Sequence, residues 1–231
     1  MDIIVISPKA SEDSAKRLAE ELGAEYDNPY QSGRSDFKLY DVVINYGYSG
    51  TFKVKMAAIV FNATIAVRNC IDKRATLHYL AANGIPTPEF ATKVKDDWNT
   101  VFCHTKPDGR KNEGIVHWYR QDDEPIPPAY LYTNYYQHRG EYRVVVLKGK
   151  VIGRYRKVLD DENMWSFELR DKRGFEGMDD ACIRASRALG ASYVGFDVLA
   201  KSKDNFVILE ANSGPILTDE TVEAFKEYLG V

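Results

Sequence analysis

The feature of this sequence that most restricts its fold is a pair of apolar segments near the carboxyl end, residues 193–200 and 206–210. They are joined by a short polar turn, and this pattern predicts two adjacent antiparallel strands. Asp197 and Glu210 stand inside this otherwise apolar sequence, and Asn212 follows two residues later. Charged side chains within a buried strand need a partner or a ligand, because their burial alone is costly.

The register of the predicted hairpin decides where these three side chains lie. A turn centred on Lys203-Asp204 or on Asp204-Asn205 places Asp197 opposite Glu210 or Asn212. Because side chains alternate along a strand, either register puts all three on one face. Two close carboxylates favour a cation between them, and carboxylate and amide oxygens suit Mg²⁺. The alternative is a surface hairpin whose acidic side chains face water.

Charge and cysteine content exclude several classes of protein. The 231 residues include 31 Lys and Arg against 34 Asp and Glu, a formal net charge of −3, which lacks the basic excess of a general nucleic-acid binder. Cys70, Cys103 and Cys182 are far apart without C-x-x-C spacing, so neither disulfides nor a zinc site is predicted. No apolar run approaches the roughly 20 residues of a membrane span, and the first residues lack a signal-peptide pattern. We therefore expect a cytoplasmic protein with no membrane partner.

The amino-terminal part alternates strand and helix patterns. Strands are predicted at Ile3 to Ile6, Val42 to Ile44 and Ala58 to Phe61. A helix between Ser11, a candidate cap, and Gly23, a stop, is indicated by apolar residues at helical spacing: Ala15, Leu18, Ala19 and Leu22. This pattern predicts a small parallel, Rossmann-like α/β unit with a ligand at its strand ends.

Two breaks divide the chain. A helix predicted over 72–83 ends at Asn83-Gly84, and the proline-containing segment 85–88 cannot continue it. A second break lies at 121–128, which is acidic and carries three prolines. We predict an amino-terminal α/β unit over 1–84, which ends with the helix over 72–83, here called the entry helix. Two α+β subdomains are predicted over 85–129 and 130–231.

A second polar cluster is predicted on the hairpin formed by 142–147 and 151–157. Glu141 and Arg143 share a face, and a turn centred on Lys148-Gly149 or on Gly149-Lys150 brings Arg154 and Arg156 onto it. Three guanidiniums around one carboxylate leave donors for a phosphate or carboxylate ligand. The alternative is a solvated lattice of salt bridges.

A third cluster lies on the hairpin formed by 101–105 and 115–119. His104 and Lys106 are two residues apart and therefore share a face. The polar tip between Gly109 and Gly114 is able to fold over phosphates with its backbone amides, although its spacing is not that of a Walker loop. An ordinary hairpin tip is the alternative.

Taken in order, these motifs resemble the ATP-grasp superfamily, which includes glutathione synthetase, D-alanine:D-alanine ligase and the ligases that add glutamate to ribosomal-protein tails. The resemblance is carried by Asp72-Lys73 before a helix and Gly84-Ile85-Pro86-Thr87-Pro88, Lys106-Pro107 with Gly109 and Gly114-Ile115, Glu141-Tyr142-Arg143-Val144, and Asp197 with Ile208-Leu209-Glu210-Ala211-Asn212. It implies an ATP-grasp fold whose two α+β subdomains enclose the nucleotide. Its adenine hinge corresponds to residues 130–133.

The resemblance also assigns roles to individual residues. Asp197, Glu210 and Asn212 are implied as ligands of one or two Mg²⁺ ions, with Mn²⁺ as a substitute, and Lys106, Arg143 and Arg156 as catalytic residues. Implied nucleotide contacts are Lys73, His104, Lys106, Gly109, Gly114, Leu131, Tyr132, Glu141 and Leu199. Whether His104 or Lys106 meets the phosphates stays open, because the family usually has a lysine preceded by apolar residues.

The implied activity is ATP-dependent ligation. A carboxylate is phosphorylated to an acyl phosphate, which an amine or similar nucleophile then attacks, while the loop 108–114 closes to exclude water. The carboxylate and the nucleophile, each a small molecule, peptide or protein terminus, stay open, as does an oligomeric state. The alternatives are a non-catalytic nucleotide-binding module and a nucleic-acid-associated factor that uses the tyrosine-rich segment, although the acidic charge balance disfavours nucleic acid.

Overall fold

The computed structural model describes residues 1–107, 113–159, 165–169 and 175–231, which form a mixed α/β structure containing three sheets. The strands are β1 Ile3–Ile6, β2 Glu25–Asp27, β3 Val42–Asn45, β4 Ile59–Phe61, β5 Phe90–Ala91, β6 Thr100–His104, β7 Ile115–Tyr119, β8 Leu131–Asn134, β9 Gly140–Leu147, β10 Lys150–Leu159, β11 Trp165–Leu169, β12 Tyr193–Ala200 and β13 Phe206–Asn212. The helices are α1 Glu12–Glu21, α2 Pro29–Ser32, α3 Thr64–Ile71, α4 Lys73–Ala82, α5 Glu176–Leu189 and α6 Asp219–Leu229.

The amino-terminal sheet is parallel, with the order β2-β1-β3-β4. Its central strands β1 and β3, which are apolar except for Asn45, are buried along their whole length, as expected for a parallel sheet covered on both faces. The predicted Rossmann-like unit is therefore confirmed. Gly23 follows α1 with a φ of 61°, as a helix stop should, but Ser11 provides no side-chain cap. Its hydroxyl donates instead to the carbonyl of Tyr46, 2.9 Å away.

The large sheet has the order β11-β10-β9-β12-β13, and each pair of neighbours is antiparallel. One face packs against α5, α3 and α4 through a core that includes Val144, Phe196 and Cys182. The other face packs at one end against the amino-terminal unit and α6, through side chains such as Tyr155 and Tyr193. The large sheet and the amino-terminal unit thus share one continuous core.

The small sheet, with the order β5-β8-β6-β7, has a separate core. This core consists of the buried residues Trp98, Val101, Cys103, Trp118 and Tyr132. The segment 135–139 connects the small sheet to the large one. The predicted hinge residues Leu131 and Tyr132 lie within β8, which pairs with both β5 and β6. That this segment holds the adenine stays a prediction.

The division of the chain at 84 stays a prediction, although packing shows how the entry helix is held. Leu80 of α4 and Ile85 belong to the core behind the large sheet. The carbonyl of Pro86 accepts a hydrogen bond of 2.9 Å from the backbone N–H of Ile208 in β13. Within the described ranges, no helix combines the length and the apolar character needed to cross a bilayer.

Candidate functional site

The carboxyl-terminal hairpin brings Asp197, Glu210 and Asn212 together, as the sequence pattern predicts. Asp197 of β12 lies directly opposite Glu210 of β13, and Asn212 lies opposite Gly195, two residues from Asp197 and on the same face. Leu209 is an extra residue in β13, because the next pair is Val198 with Ile208. The Asn212 amide donates to Glu210 Oε1 over 3.3 Å. We call this surface of the large sheet the site face.

Cations from the neighbouring strands neutralise Asp197. The Arg143 Nε donates to one oxygen of the carboxylate, and the Lys157 Nζ lies 3.3 Å from the other. Lys157 also lies 3.2 Å from the carboxylate of Glu141. Burial by itself raises the pKa of Asp197, but Arg143 and then Lys157 outweigh burial and hold that pKa below its usual range. The carboxylate is therefore ionised.

The prediction that Arg154 and Arg156 share the face of Arg143 is wrong. Val146 pairs with Val151, but Val145 pairs with Gly153, so a β-bulge at residue 152 reverses the side-chain parity of the rest of β10. Arg154 is buried on the opposite face, where it pairs with Asp179 of α5. Arg156, predicted to be catalytic, is exposed on that same face.

The bulge brings Lys157, which the sequence analysis missed, onto the site face opposite Glu141. One signal in the sequence marks the bulge, since a glycine inside a strand pattern often does. A Cβ at Gly153 would lie 2.4 Å from the Tyr155 hydroxyl, so no other residue fits there without movement.

Lys73 links the site face to the small sheet. Its Nζ lies 3.4 Å from Glu210 Oε2, at the start of a helix that Asp72 caps by accepting from Ala75 N. On the small sheet, the buried His104 ring approaches the Thr133 hydroxyl at 3.0 Å. Burial first, and then the positive charge of Lys73, lowers the pKa of His104 to about 3, so the imidazole is neutral. The structure thus brings together Lys73, His104 and Glu210.

Lys106 lies at the edge of this group, at the base of the polar tip. Its ammonium pairs with the Glu113 carboxylate, and about half of each side chain is exposed. Gly114 has a φ of 73°, and a Cβ there would lie 2.9 Å from Lys106 Cγ, so glycine is required by both conformation and space. Gly109 and most of the predicted closing loop lie outside the described residues.

The predicted adenine contacts fall on different faces. Leu131 pairs with His104 and lies on the His104 face of the small sheet. The Tyr132 side chain lies on the other face, in the small core, where its hydroxyl donates to the Pro127 carbonyl over 3.0 Å. Leu199 pairs with Glu141 and lies on the site face. Tyr132 is therefore able to contact a ligand between the sheets through its backbone but not through its side chain.

The oxygen atoms on the site face fit a hard divalent cation. The candidate ligands are the carboxylates of Asp197 and Glu210 and the side-chain amide oxygen of Asn212. Among the described residues there is no group of three or more His, Cys, Asp or Glu side chains able to hold a metal. Mg²⁺ needs only one or two protein carboxylates, because it completes its coordination with water and substrate phosphates.

Sequence comparisons relate the chain to proteins named as synthases. No protein-family model matches it. It is 28% identical over 189 residues to human N-acetylaspartylglutamate synthase A, covering 69% of this chain and 47% of that protein. It is 25% identical over 187 residues to mouse beta-citrylglutamate synthase B, covering 69% and 48%. The chain thus spans about half the length of the curated relatives it matches.

Structural comparison gives the fold. The ATP-grasp ligase PsnB, solved with a minimal precursor, superposes with a TM-score of 0.69 at 16% identity, over 98% of this chain and 94% of that one. D-alanine–D-alanine ligase from Bacillus anthracis, solved with ATP, superposes with a TM-score of 0.66 at 14% identity, over 100% and 93%. The chain therefore has the fold of the ATP-grasp ligases. The resemblance recognised in the sequence, and the predicted fold class, are confirmed.

Proposed function

We propose that this protein is an ATP- and Mg²⁺-dependent ligase that joins a carboxylate to an amine through an acyl phosphate. The observation that carries the proposal is the convergence of Asp197, Glu210 and Asn212 on one face of the large sheet, next to Lys73. Support comes from the relatives, which are named as synthases of glutamate-containing compounds, and from the structural neighbours, which are named as ligases. One PsnB structure was solved with Mg and ADP.

The proposed reaction has two steps. A carboxylate oxygen attacks the γ-phosphorus and ADP leaves, which gives an acyl phosphate. The amine then attacks the acyl carbon, inorganic phosphate leaves, and the amine gives up a proton as the amide forms. Phosphoryl transfer asks a protein mainly for in-line positioning and charge neutralisation, and the residues of the site supply both.

Each residue of the site has a place in this proposal. Asp197, Glu210 and Asn212 would hold one or two Mg²⁺ ions, or Mn²⁺, whose charge would offset that of the phosphates. Lys73 and Lys106 neutralise phosphate charge, whereas the neutral His104 supplies only a hydrogen bond. Arg143 acts at the transferred phosphate, and Lys157 takes the role that the sequence assigned to Arg156.

The relatives narrow the substrates that we propose. Their names describe products in which glutamate is joined to a second carboxylate compound. We propose that the amine here belongs to an amino acid or a peptide and that the carboxylate belongs to a small acid or a peptide. A cytoplasmic location is consistent with three buried cysteines that form no disulfide.

The test is Mg²⁺-dependent ADP release from ATP, measured with panels of carboxylate and amino-acid substrates. We expect release only when both substrates are present. Glu210→Gln should reduce release about 10²- to 10³-fold, because it removes one charged group of the proposed cation site. Glu227→Gln, on the exposed side of α6, is the matched control and should behave like the wild type. Undiminished turnover in Glu210→Gln would show that the metal assignment is wrong.

Binding of ATP without ADP formation under every substrate pair would instead indicate a nucleotide-binding module. The complete set of two carboxylates and an amide argues for turnover, because a protein that only binds nucleotide has less need of a metal site.

A further inference from the structure

Asn62 is a buried polar residue that no part of the proposed chemistry uses. It directly follows β4, is only 1% exposed and has a φ of 58°. A residue other than glycine rarely adopts this left-handed conformation, although asparagine does so more readily than most. The strained position is maintained by the contacts that its side chain makes.

The Asn62 amide uses all of its hydrogen-bonding capacity. Its Nδ2 donates to the carbonyls of Tyr193 and Ser213, over 2.5 and 3.2 Å. Its Oδ1 accepts from the backbone N–H groups of Ser192 and Tyr193, over 3.0 and 3.1 Å. One side chain therefore joins the amino-terminal sheet to the start of β12 and to the residue that follows Asn212.

A second contact from the amino-terminal unit holds the same segment. The Tyr46 hydroxyl donates to the carbonyl of Pro215. Between these two anchors, a Cβ at Gly214 would lie 2.9 Å from the Tyr46 carbonyl oxygen, so the two backbones are in direct contact. Residues 213–215 thus lie fixed against the amino-terminal unit.

These anchors matter because β13 is an edge strand, and β12 is its one strand neighbour among the residues that the structure describes. Asn212 is its last residue and has one strand neighbour, Gly195. The end of an edge strand opens easily unless other groups hold it. Fixing the Ser213 carbonyl therefore fixes the backbone from which the Asn212 side chain projects.

We propose that Asn62 is a positioning residue, which sets the orientation of Asn212 by bonding the Ser213 carbonyl to the amino-terminal unit. This inference rests on the proposed function, since it gives Asn212 a role at the metal. Asn62 thereby joins the amino-terminal unit rigidly to the candidate cation site. A substrate held by the amino-terminal loops would then lie at a fixed distance from that site. Groups that orient metal ligands typically affect metal affinity about 10- to 100-fold when removed.

Two substitutions separate the side chain from the backbone conformation. Asn62→Gly keeps the left-handed conformation at no steric cost and removes all side-chain hydrogen bonds. Asn62→Asp keeps the acceptor for Ser192 and Tyr193 but places an oxygen against the carbonyls of Tyr193 and Ser213. Leu18→Ala, in the core of the same unit, is the control for loss of stability alone.

The first measurement is hydrogen exchange of the backbone amides in 212–217, without nucleotide, well below the melting temperature of each variant. We expect at least about tenfold faster exchange in Asn62→Gly and Asn62→Asp, and unchanged exchange there in Leu18→Ala. The second is calorimetric binding of ADP over a series of Mg²⁺ concentrations. We expect half-maximal binding to need about tenfold more Mg²⁺ in both Asn62 variants and the wild-type concentration in Leu18→Ala.

Unchanged exchange in the Asn62 variants would overturn the proposal, because the segment would then be held without this side chain. Faster exchange with an unchanged Mg²⁺ requirement would also overturn it, since the anchor would not act on the cation site. If Leu18→Ala also needed about tenfold more Mg²⁺, the effect of the Asn62 variants would be one of general destabilisation, and the proposal would be overturned. Failure of the wild type itself to bind ADP with Mg²⁺ would refute the proposed function, and the exchange data would then show separately whether Asn62 holds the segment.

Discussion

The large and small sheets present opposite kinds of surface to Lys73, which lies between them. The site face of the large sheet carries the ionised side chains of Arg143, Lys157 and Asp197 in direct contact. The facing side of the small sheet carries the neutral His104 together with Leu131 and Thr133. The difference is one of charge: ionised side chains pack together on the site face, whereas His104, Leu131 and Thr133 form an uncharged patch with the cation Lys106 at its edge.

The two sheets also differ in how firmly they are held. The large sheet shares cores with three helices on one side and with the amino-terminal unit on the other. The small sheet relies on a compact core of its own, built around Trp98 and Trp118. An element with few buried contacts opens at a lower free energy than the global unfolding of the protein. The charged surface is therefore on the rigid part of the molecule and the uncharged surface on the part that opens more easily.

The largest expected effect comes from removing the central anion of the charged surface. Asp197→Asn removes the negative charge that pairs with both Arg143 and Lys157, so two largely buried cations are left close together. The free energy of unfolding should therefore fall by about 3–5 kcal/mol. ADP release should fall about 10²- to 10³-fold. Urea unfolding and the ADP assay measure the two effects. Asp180→Asn is the control, because that exposed partner of Arg184 on α5 should contribute at most about 1 kcal/mol. Equal stability losses in the two variants would contradict the central role of Asp197.

A second prediction compares two neighbours on β10, which the bulge places on opposite faces. Lys157→Met removes a cation that contacts both Glu141 and Asp197, and ADP release should fall about 10- to 100-fold. Arg156→Met alters an exposed side chain on the far face and should change release less than twofold. A larger loss of ADP release in Arg156→Met than in Lys157→Met would contradict the bulged register. It would favour the register that the turn alone predicts, without the bulge.

Much of this arrangement is predictable from the sequence, and the exceptions have physical causes. Asp197 pairs with Glu210 as predicted, but only through the extra residue Leu209, because the register next to the turn would by itself set Asp197 opposite Leu209. The parity argument fails on β10 because a single bulged residue reverses every later side chain, and only Gly153 signals it. The strand character of Leu131 and Tyr132 was missed because a short central strand is set by its neighbours β5 and β6, not by local sequence. Asn62 was missed because all of its partners are at least 130 residues away in the chain.

The third prediction tests the uncharged character of the small sheet through pH. The pKa of His104 is lowered by burial to about 3, whereas in the unfolded chain it lies near its ordinary value of 6.5. The unfolded state therefore binds the extra proton first as pH falls. The stability that comes from a neutral His104 is complete above about pH 6.5 and is lost progressively from there toward pH 3. His104→Gln should lose less unfolding free energy than the wild type between pH 7 and pH 4.

Urea unfolding at pH 7, 5.5 and 4 measures this difference. His78→Gln, on the exposed side of α4, is the control and should follow the wild-type pH dependence. Identical slopes for His104→Gln and the wild type would mean that His104 takes up its proton at the same pH in the folded and unfolded states, and the small sheet would then become charged as pH falls through about 6.5.

The smallest expected effect concerns the different rigidity of the two sheets and uses a matched pair of cysteines. Cys182 lies in the core behind the large sheet and Cys103 in the core of the small sheet, and both are buried. Replacing either by alanine removes one sulfur atom and should cost about 1 kcal/mol. Because the large-sheet core unfolds only with the whole protein, Cys182→Ala should lower the melting temperature and speed exchange of the slowest amides. Cys103→Ala should instead speed amide exchange mainly in β6 and β8, with a smaller change in melting temperature. Equal global effects of the two substitutions would mean that the small sheet unfolds together with the large one, and the contrast in rigidity would then disappear.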